Sequence, residues 1–240
     1  MSATAAAVLF EDAHLVAVAK PAGLLTQGPS WKEPSLEQDV RRYLAPDAPD
    51  SVYLGTVHRL DRPVSGVVVW AKTHRAARRL ADQFASRRVV KEYQAVVEST
   101  ELVTGEGVWI DWLTRSPDAS GVVRVAAEGD PQARRAVTRY RVEPSANVPE
   151  GALWLRLWPE TGRTHQLRAQ SAQRGAPVWG DAPYGARHSF PLGIALHARA
   201  LTFLHPALGR PLTIVAPLPA AWGESGCFEP TTRDGSISRT

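Results

Sequence analysis

The 240-residue chain holds one cysteine, Cys227, and one methionine. A lone cysteine excludes an internal disulfide and a multi-cysteine metal site, so stability must come from the core, and a cytoplasmic setting is expected. No apolar run approaches the ~20 residues of a membrane helix; the longest, Gly66 to Ala71, is strand-sized. This points away from a membrane partner. The opening MSATAAAVLFEDAH has no basic cluster and soon meets Glu11 and Asp12, unlike a secretory signal. Glycine (18) and proline (19) are too few for a collagen-like or low-complexity chain, and 44% hydrophobic against 22% charged residues excludes wholesale disorder.

Lysine is scarce as well. Only Lys20, Lys32, Lys72 and Lys91 contribute to the 28 cations, and the rest are arginines, giving a net charge of +4. Guanidinium forks match phosphates and stack on bases, which suits a nucleic-acid partner. A GC-rich genome produces the same bias, and composition does not separate the two.

Patterning predicts many strands and few helices. Val8 to Ala19 reads as two strands turning at Glu11-Asp12, and Leu36 to Leu44 as a helix. Val52 to His58 reads as a strand, Arg59 to Ser65 as a loop, and Gly66 to Lys72 as a buried strand. Thr73 is a helix N-cap, after which Ala77, Leu80, Ala81 and Phe84 share the apolar face. Further strands are expected at Val89 to Glu98, Gly107 to Trp112, Val122 to Ala126, Ala136 to Val142, Leu153 to Trp158, Ile194 to Leu204 and Pro211 to Val215. Thr164 to Arg174 reads as a helix stopped by Gly175. The fold class is α+β, with a mixed, mostly antiparallel sheet and flanking helices. A single domain is expected over 8–220, with flexible tails at 1–7 and 223–240.

Phosphate loops, dinucleotide fingerprints, HExxH and GxSxG are all missing. His58, His165, His197 and His205 fit no standard zinc spacing, so no metal is expected. The informative stretch is VHRLDRPVSGVVVWAK, residues 57–72. It sets Asp61 in a loop between two strands, flanked by Arg59 and Arg62. Opposite charge favours the ionised carboxylate, which suits a nucleophile or a general base. On these residues alone, a plain surface ion pair is the stronger alternative.

HRLDRPVSG resembles the catalytic signature of RluA-type pseudouridine synthases, in which HRLD is followed by two residues and TSG. Further elements similar to that family follow in order. They are Lys20-Pro21-Ala22-Gly23, Lys91-Glu92-Tyr93, the run TGRTHQLR over 161–168, Gly180-Asp181 with Tyr184-Gly185, and Leu196-His197-Ala198 with His205-Pro206. They span roughly 8–217. Val64 departs from the pattern by replacing the usual threonine, a change expected to tune the loop. The core is expected to start by about Val8 without a preceding S4-type RNA-binding segment, an expectation that favours a compact stem-loop such as a tRNA arm.

The resemblance implies an RNA pseudouridine synthase that isomerises uridine in rRNA or tRNA without a cofactor. The oligomeric state is open, with a monomer as the default expectation. It implies Asp61 as the catalytic carboxylate, attacking C1′ or removing the 2′ proton. Arg168 is its expected partner, with Arg163 the alternative. Tyr93 would stack on the uracil, and Arg59 would fill the space left by the flipped base. Lys20, Arg62, Arg163, His165, Gln166 and Leu196 are expected at the substrate, while His58 and Asp181 support loops. The competing reading is a non-catalytic RNA-binding or RNA-folding protein that keeps the fold.

Overall fold

A computed structural model describes residues 7–28, 33–116, 121–143 and 148–227. Its strands are β1 (Val8–Glu11), β2 (Leu15–Lys20), β3 (Gly55–Thr56), β4 (Ser65–Ala71), β5 (Val90–Glu98), β6 (Glu106–Arg115), β7 (Val123–Ala126), β8 (Arg134–Glu143), β9 (Ala152–Pro159), β10 (Leu196–Leu204) and β11 (Pro211–Val215). The helices are α1 (Leu36–Leu44), α2 (His74–Ala85), α3 (Gln166–Gln173) and α4 (Ala220–Glu224).

The strands form one sheet in the order β1-β2-β4-β10-β5-β9-β8-β6-β7, with β3 added to β4 and β11 to β10. Every pairing is antiparallel except β4 with β10. That contact is short: His197 opposes Ser65 and Ala198 opposes Gly66. The register of β10 against β5 then shifts between Ala198 and Ala200, and β11 flanks β10 from Ala200 onward. A side chain on Gly66 would place Cβ 2.3 Å from the Ala198 carbonyl oxygen, and φ there is +126°. Only glycine allows this approach. The bond between Ser65 Oγ and His197 Nδ1 (2.8 Å) closes the same junction, just after the Asp61 loop.

Continuous apolar strands sit at the sheet centre. All seven residues of β4 are buried, as expected for a strand covered on both faces. Trp154 on β9 is fully buried and meets Trp222 edge-on at 5.3 Å; Trp158 is half-buried with Arg156 lying 5.2 Å over its ring.

Several expectations need correction. The strand expected over 52–58 shrinks to Gly55–Thr56, because His58 replaces backbone pairing: its Nε2 accepts from the Val69 amide at 3.0 Å. Helix α2 is capped by Thr73 as expected, its Oγ1 accepting from the Ala76 amide, but it is rotated. Ala76, Leu80 and Gln83 are buried and Ala81 is exposed. Gln83 turns inward because its amide copies a strand edge, donating to Leu204 O and accepting from Leu204 N, both at 2.8 Å. Helix α3 starts at Gln166, two residues late, because His165 adopts the left-handed conformation with φ +51°. The polar composition from 223 suggests a tail, yet α4 runs to Glu224 and Cys227 is 1% exposed, with its amide bonded to Trp222 O. Trp222 anchors this segment. Residues 1–6 and 228–240 lie outside the described residues.

Candidate active site

A cleft of about 490 Å³ opens where the Asp61 loop, the end of α2, the first residues of β5, the 159–163 turn and the start of α3 converge. Asp61, Arg59, Lys91, Tyr93, Arg163, His165, Gln166, Arg168 and Leu196 all line it. Lys20 and Arg62 support it from behind.

The Asp61 loop is held by its backbone. Lys20 is 1% exposed and its ammonium donates to the carbonyls of Pro21 (2.9 Å), Leu24 (2.6 Å) and Arg62 (3.1 Å). Burial pulls its pKa down to about 7, with the field of Asp61 opposing and that of Arg62 assisting. Arg62 does not enter the cleft: its Nε donates to Gly23 O, and its carbonyl accepts from the Gly23 amide. Thr26 clasps Leu60 in both directions, through its carbonyl at 2.8 Å and its amide at 3.1 Å. Two loops far apart in sequence are thus laced together, and Asp61 is held facing the cleft.

The expectation that flanking arginines hold Asp61 is not met. Arg59 is exposed and has no hydrogen bond or ion pair among the described residues. The cation at Asp61 is Arg168, whose Nη1 lies 3.4 Å from Oδ2. Arg168 is 5% exposed. Its Nε and Nη2 both bond the carboxylate of Asp181 at 2.7 Å, and Asp181 is fully buried. The guanidinium also lies 4.8 Å over the Tyr184 ring. Burial opposes its charge, but Asp181 and Asp61 outweigh burial and raise its pKa. The fork–fork pair fixes the guanidinium plane, so the remaining nitrogen is aimed at Asp61. Arg163 instead donates from Nε to Arg135 O at 3.1 Å.

Other expected residues take distinct places. Gln166 is buried and works as a clamp. Its Oε1 accepts from Thr161 Oγ1 and the Arg163 amide, and its Nε2 donates to Val137 O and Thr138 Oγ1. This ties the cleft wall to β8. The Tyr93 hydroxyl has no hydrogen bond to protein among the described residues, and burial first, then Asp61's charge, raises its pKa. Leu196 is 3% exposed at the cleft floor. His58 is stacked on Phe84 at 5.0 Å, and burial pushes its pKa down to about 3. His197 and His205 are structural too, bonded to Ser65 and to Asp12. Among the described residues, no three His, Cys, Asp or Glu side chains gather to hold a metal.

Two contributors escape the sequence. Lys91 donates to Thr161 O at 2.8 Å and lines the cleft, with burial pulling it down to about 8. Tyr184 lies under Arg168 and bonds His165, as described below. Lys91 opens a K-x-Y element and Tyr184 a Y-G pair, but no spacing shows that either reaches the Asp61 cleft. Gly180 permits the turn that carries Asp181 and Tyr184: its φ is +83°, and a Cβ would lie 2.8 Å from Gly193 O.

Comparison with known proteins agrees with this geometry. The family described as RNA pseudouridylate synthase matches residues 14–173. Ribosomal large subunit pseudouridine synthase D of Xanthomonas campestris pv. campestris is 35% identical over 226 residues, covering 88% of this chain and 66% of that protein. tRNA pseudouridine synthase C of Pectobacterium carotovorum subsp. carotovorum is 36% identical over 232 residues, covering 90% and 60%. The chain therefore spans just under two thirds of the length of these relatives. Among solved structures, human RNA pseudouridylate synthase domain containing 4 superposes with a TM-score of 0.73 at 25% identity, covering 94% of this chain and 95% of that one. The ordered set of motifs, the sheet that brings them to one cleft and these matches have a common explanation: the chain belongs to the RNA pseudouridylate synthase family, among its RluA-type members.

Proposed function

We propose that this protein isomerises uridine to pseudouridine in ribosomal or transfer RNA, with ionised Asp61 as the catalytic group. The observation that carries this reading is the Asp61 carboxylate, presented to the cleft by a laced loop and held against a guanidinium that a buried aspartate locks in place. A binding protein for anionic RNA gains nothing from a carboxylate facing its ligand.

In the proposed reaction the N1–C1′ bond breaks, the uracil turns, and C5 bonds to C1′. The proton on C5 is lost and N1 ends protonated, so the product is an isomer and no oxidant or cofactor is consumed. Asp61 either attacks C1′ or takes the 2′ proton. Arg168 balances its charge, a contact that strengthens as a bound nucleotide displaces water from the cleft. Tyr93 offers a ring face to the uracil. A stem uridine must leave its stack, at roughly a few kcal/mol, and Arg59, exposed in the cleft and unbonded among the described residues, is placed to fill the gap.

The test pairs two measurements. A pseudouridine map of cellular RNA with and without the gene is expected to lose one or a few sites, which names the substrate. Purified Asp61→Asn is expected to bind that RNA as wild type does and form no product. Product formation by Asp61→Asn, or RNA bound by wild type with no product from any cellular RNA, would overturn the reading.

A further inference from the structure

His165 projects from the left-handed residue before α3 into the cleft, and its Nε2 lies 3.7 Å from Asp61 Oδ2. That is too long for a hydrogen bond. Its other nitrogen is engaged: Nδ1 lies 2.9 Å from Tyr184 Oη. Tyr184 Oη in turn accepts from the Val123 amide at 2.9 Å. Val123 begins β7, so three separate elements meet in one relay.

The relay has a direction. A backbone N–H only donates, so the first bond runs from Val123 to Tyr184. The Tyr184 hydroxyl keeps its own proton, and Nδ1 of His165 is its sole acceptor among the described residues. If Nδ1 also carried a proton, the hydroxyl would have to turn its own proton away and leave it with no acceptor among the described residues. We infer that Tyr184 fixes His165 as the neutral tautomer protonated on Nε2, making it a hydrogen-bond donor to an oxygen of the nucleotide seated beside Asp61. His165 then touches substrate, and Tyr184 is a positioning residue that acts through it. Burial, together with the facing cations Arg168 and Arg115, favours the uncharged ring against the opposing fields of Asp61 and Asp181. The 3.7 Å gap leaves the N–H available to substrate instead of spending it on Asp61. No proton is transferred: His165 donates a hydrogen bond and keeps its proton throughout.

This inference rests on the proposed reaction for its substrate, but its first readout does not. Nitrogen-15 NMR of the free protein at neutral pH distinguishes the two imidazole tautomers. The His165 signals are expected in the Nε2–H pattern, and Tyr184→Phe should shift them toward a tautomeric mixture. Single-turnover rates on the mapped RNA then test the consequence. Tyr184→Phe should slow product formation by roughly 3- to 10-fold with RNA affinity unchanged, the worth of one neutral hydrogen bond. His165→Leu should slow it by about 100-fold, and His165→Gln, which keeps a donor near the Nε2 position, should recover most of that loss. An Nδ1–H pattern in wild type, a pattern unmoved by Tyr184→Phe, or equal rates for the Gln and Leu variants would each overturn the inference. An RNA never modified by wild type would overturn the reaction itself and leave the tautomer result standing.

Discussion

Arg168 is held between two carboxylates with different tasks. Asp181 is buried and takes two of its three nitrogens, while Asp61 is partly open and takes the third. Removing Asp181 strands a buried guanidinium. Asp181→Ala is therefore expected to cost about 3–5 kcal/mol of stability, read from urea midpoints. Replacing both partners, as Arg168→Met with Asp181→Leu, should recover much of that loss while product formation stays absent, because Asp61 has then lost its cation. Recovery of activity by the double variant would mean that Arg168 serves the fold alone. Much of this was legible: Asp61, Arg168, Tyr93, Gln166, His165 and Leu196 do converge on one cleft. The partner of Asp61 was not legible from spacing alone. Its nearest cations in sequence are Arg59 and Arg62, yet neither pairs with it among the described residues, and the fold brings in a residue 107 positions on.

Elements carry the next set of consequences. The inward turns of His58 and Gln83 are not legible in the sequence pattern, because each depends on a backbone partner far along the chain, Val69 and Leu204. His58 is held neutral by burial, at about 3 against 6.5 for a free ring. The unfolded chain binds the extra proton between those values, so stability should fall as pH drops below about 6.5. His58→Gln, whose amide oxygen can still accept from Val69, should flatten the urea-midpoint curve between pH 6.5 and 4.5. A further loss belongs to Glu98. Burial disfavours its charge, but the amides and side chains of Arg187 and His188 outweigh burial and hold it at about 2. Its contribution, complete above its ordinary value of 4.5, disappears as pH falls toward 2. At the β4–β10 junction, Gly66→Ala forces a Cβ against Ala198. That overlap should cost at least 2–3 kcal/mol, on the order of other strained backbone substitutions, and thermal unfolding would show it; an unchanged midpoint would mean that the strands separate freely.

Across the whole molecule, charge is unevenly committed. Several arginines are tied into the fold, among them Arg41, Arg156, Arg168 and Arg174. Arg59 and Arg87 line the cleft with no partner for their side chains among the described residues, and Arg115 lies close enough to act on His165. Uncommitted cations around a concave site are available to phosphates. Binding of the mapped RNA should weaken with salt, and Arg59→Ala with Arg87→Ala should reduce the log–log slope by up to about 2. An unchanged slope would place the phosphate contacts elsewhere.

The central position of β10 also shapes how the chain is made. Strands β1, β2 and β4 lie on one side of it and β5, β9, β8, β6 and β7 on the other. On the ribosome, at roughly 5–20 residues per second, both halves emerge well before residue 196 does. Until then each presents an open strand edge, a template for pairing with another chain. From the completion of β9 at Pro159 until β10 emerges, the nascent protein therefore holds two unjoined sheets and depends on a late segment for closure. Truncation just short of β10 would remove only a fifth of the length and yet leave neither half with its partner.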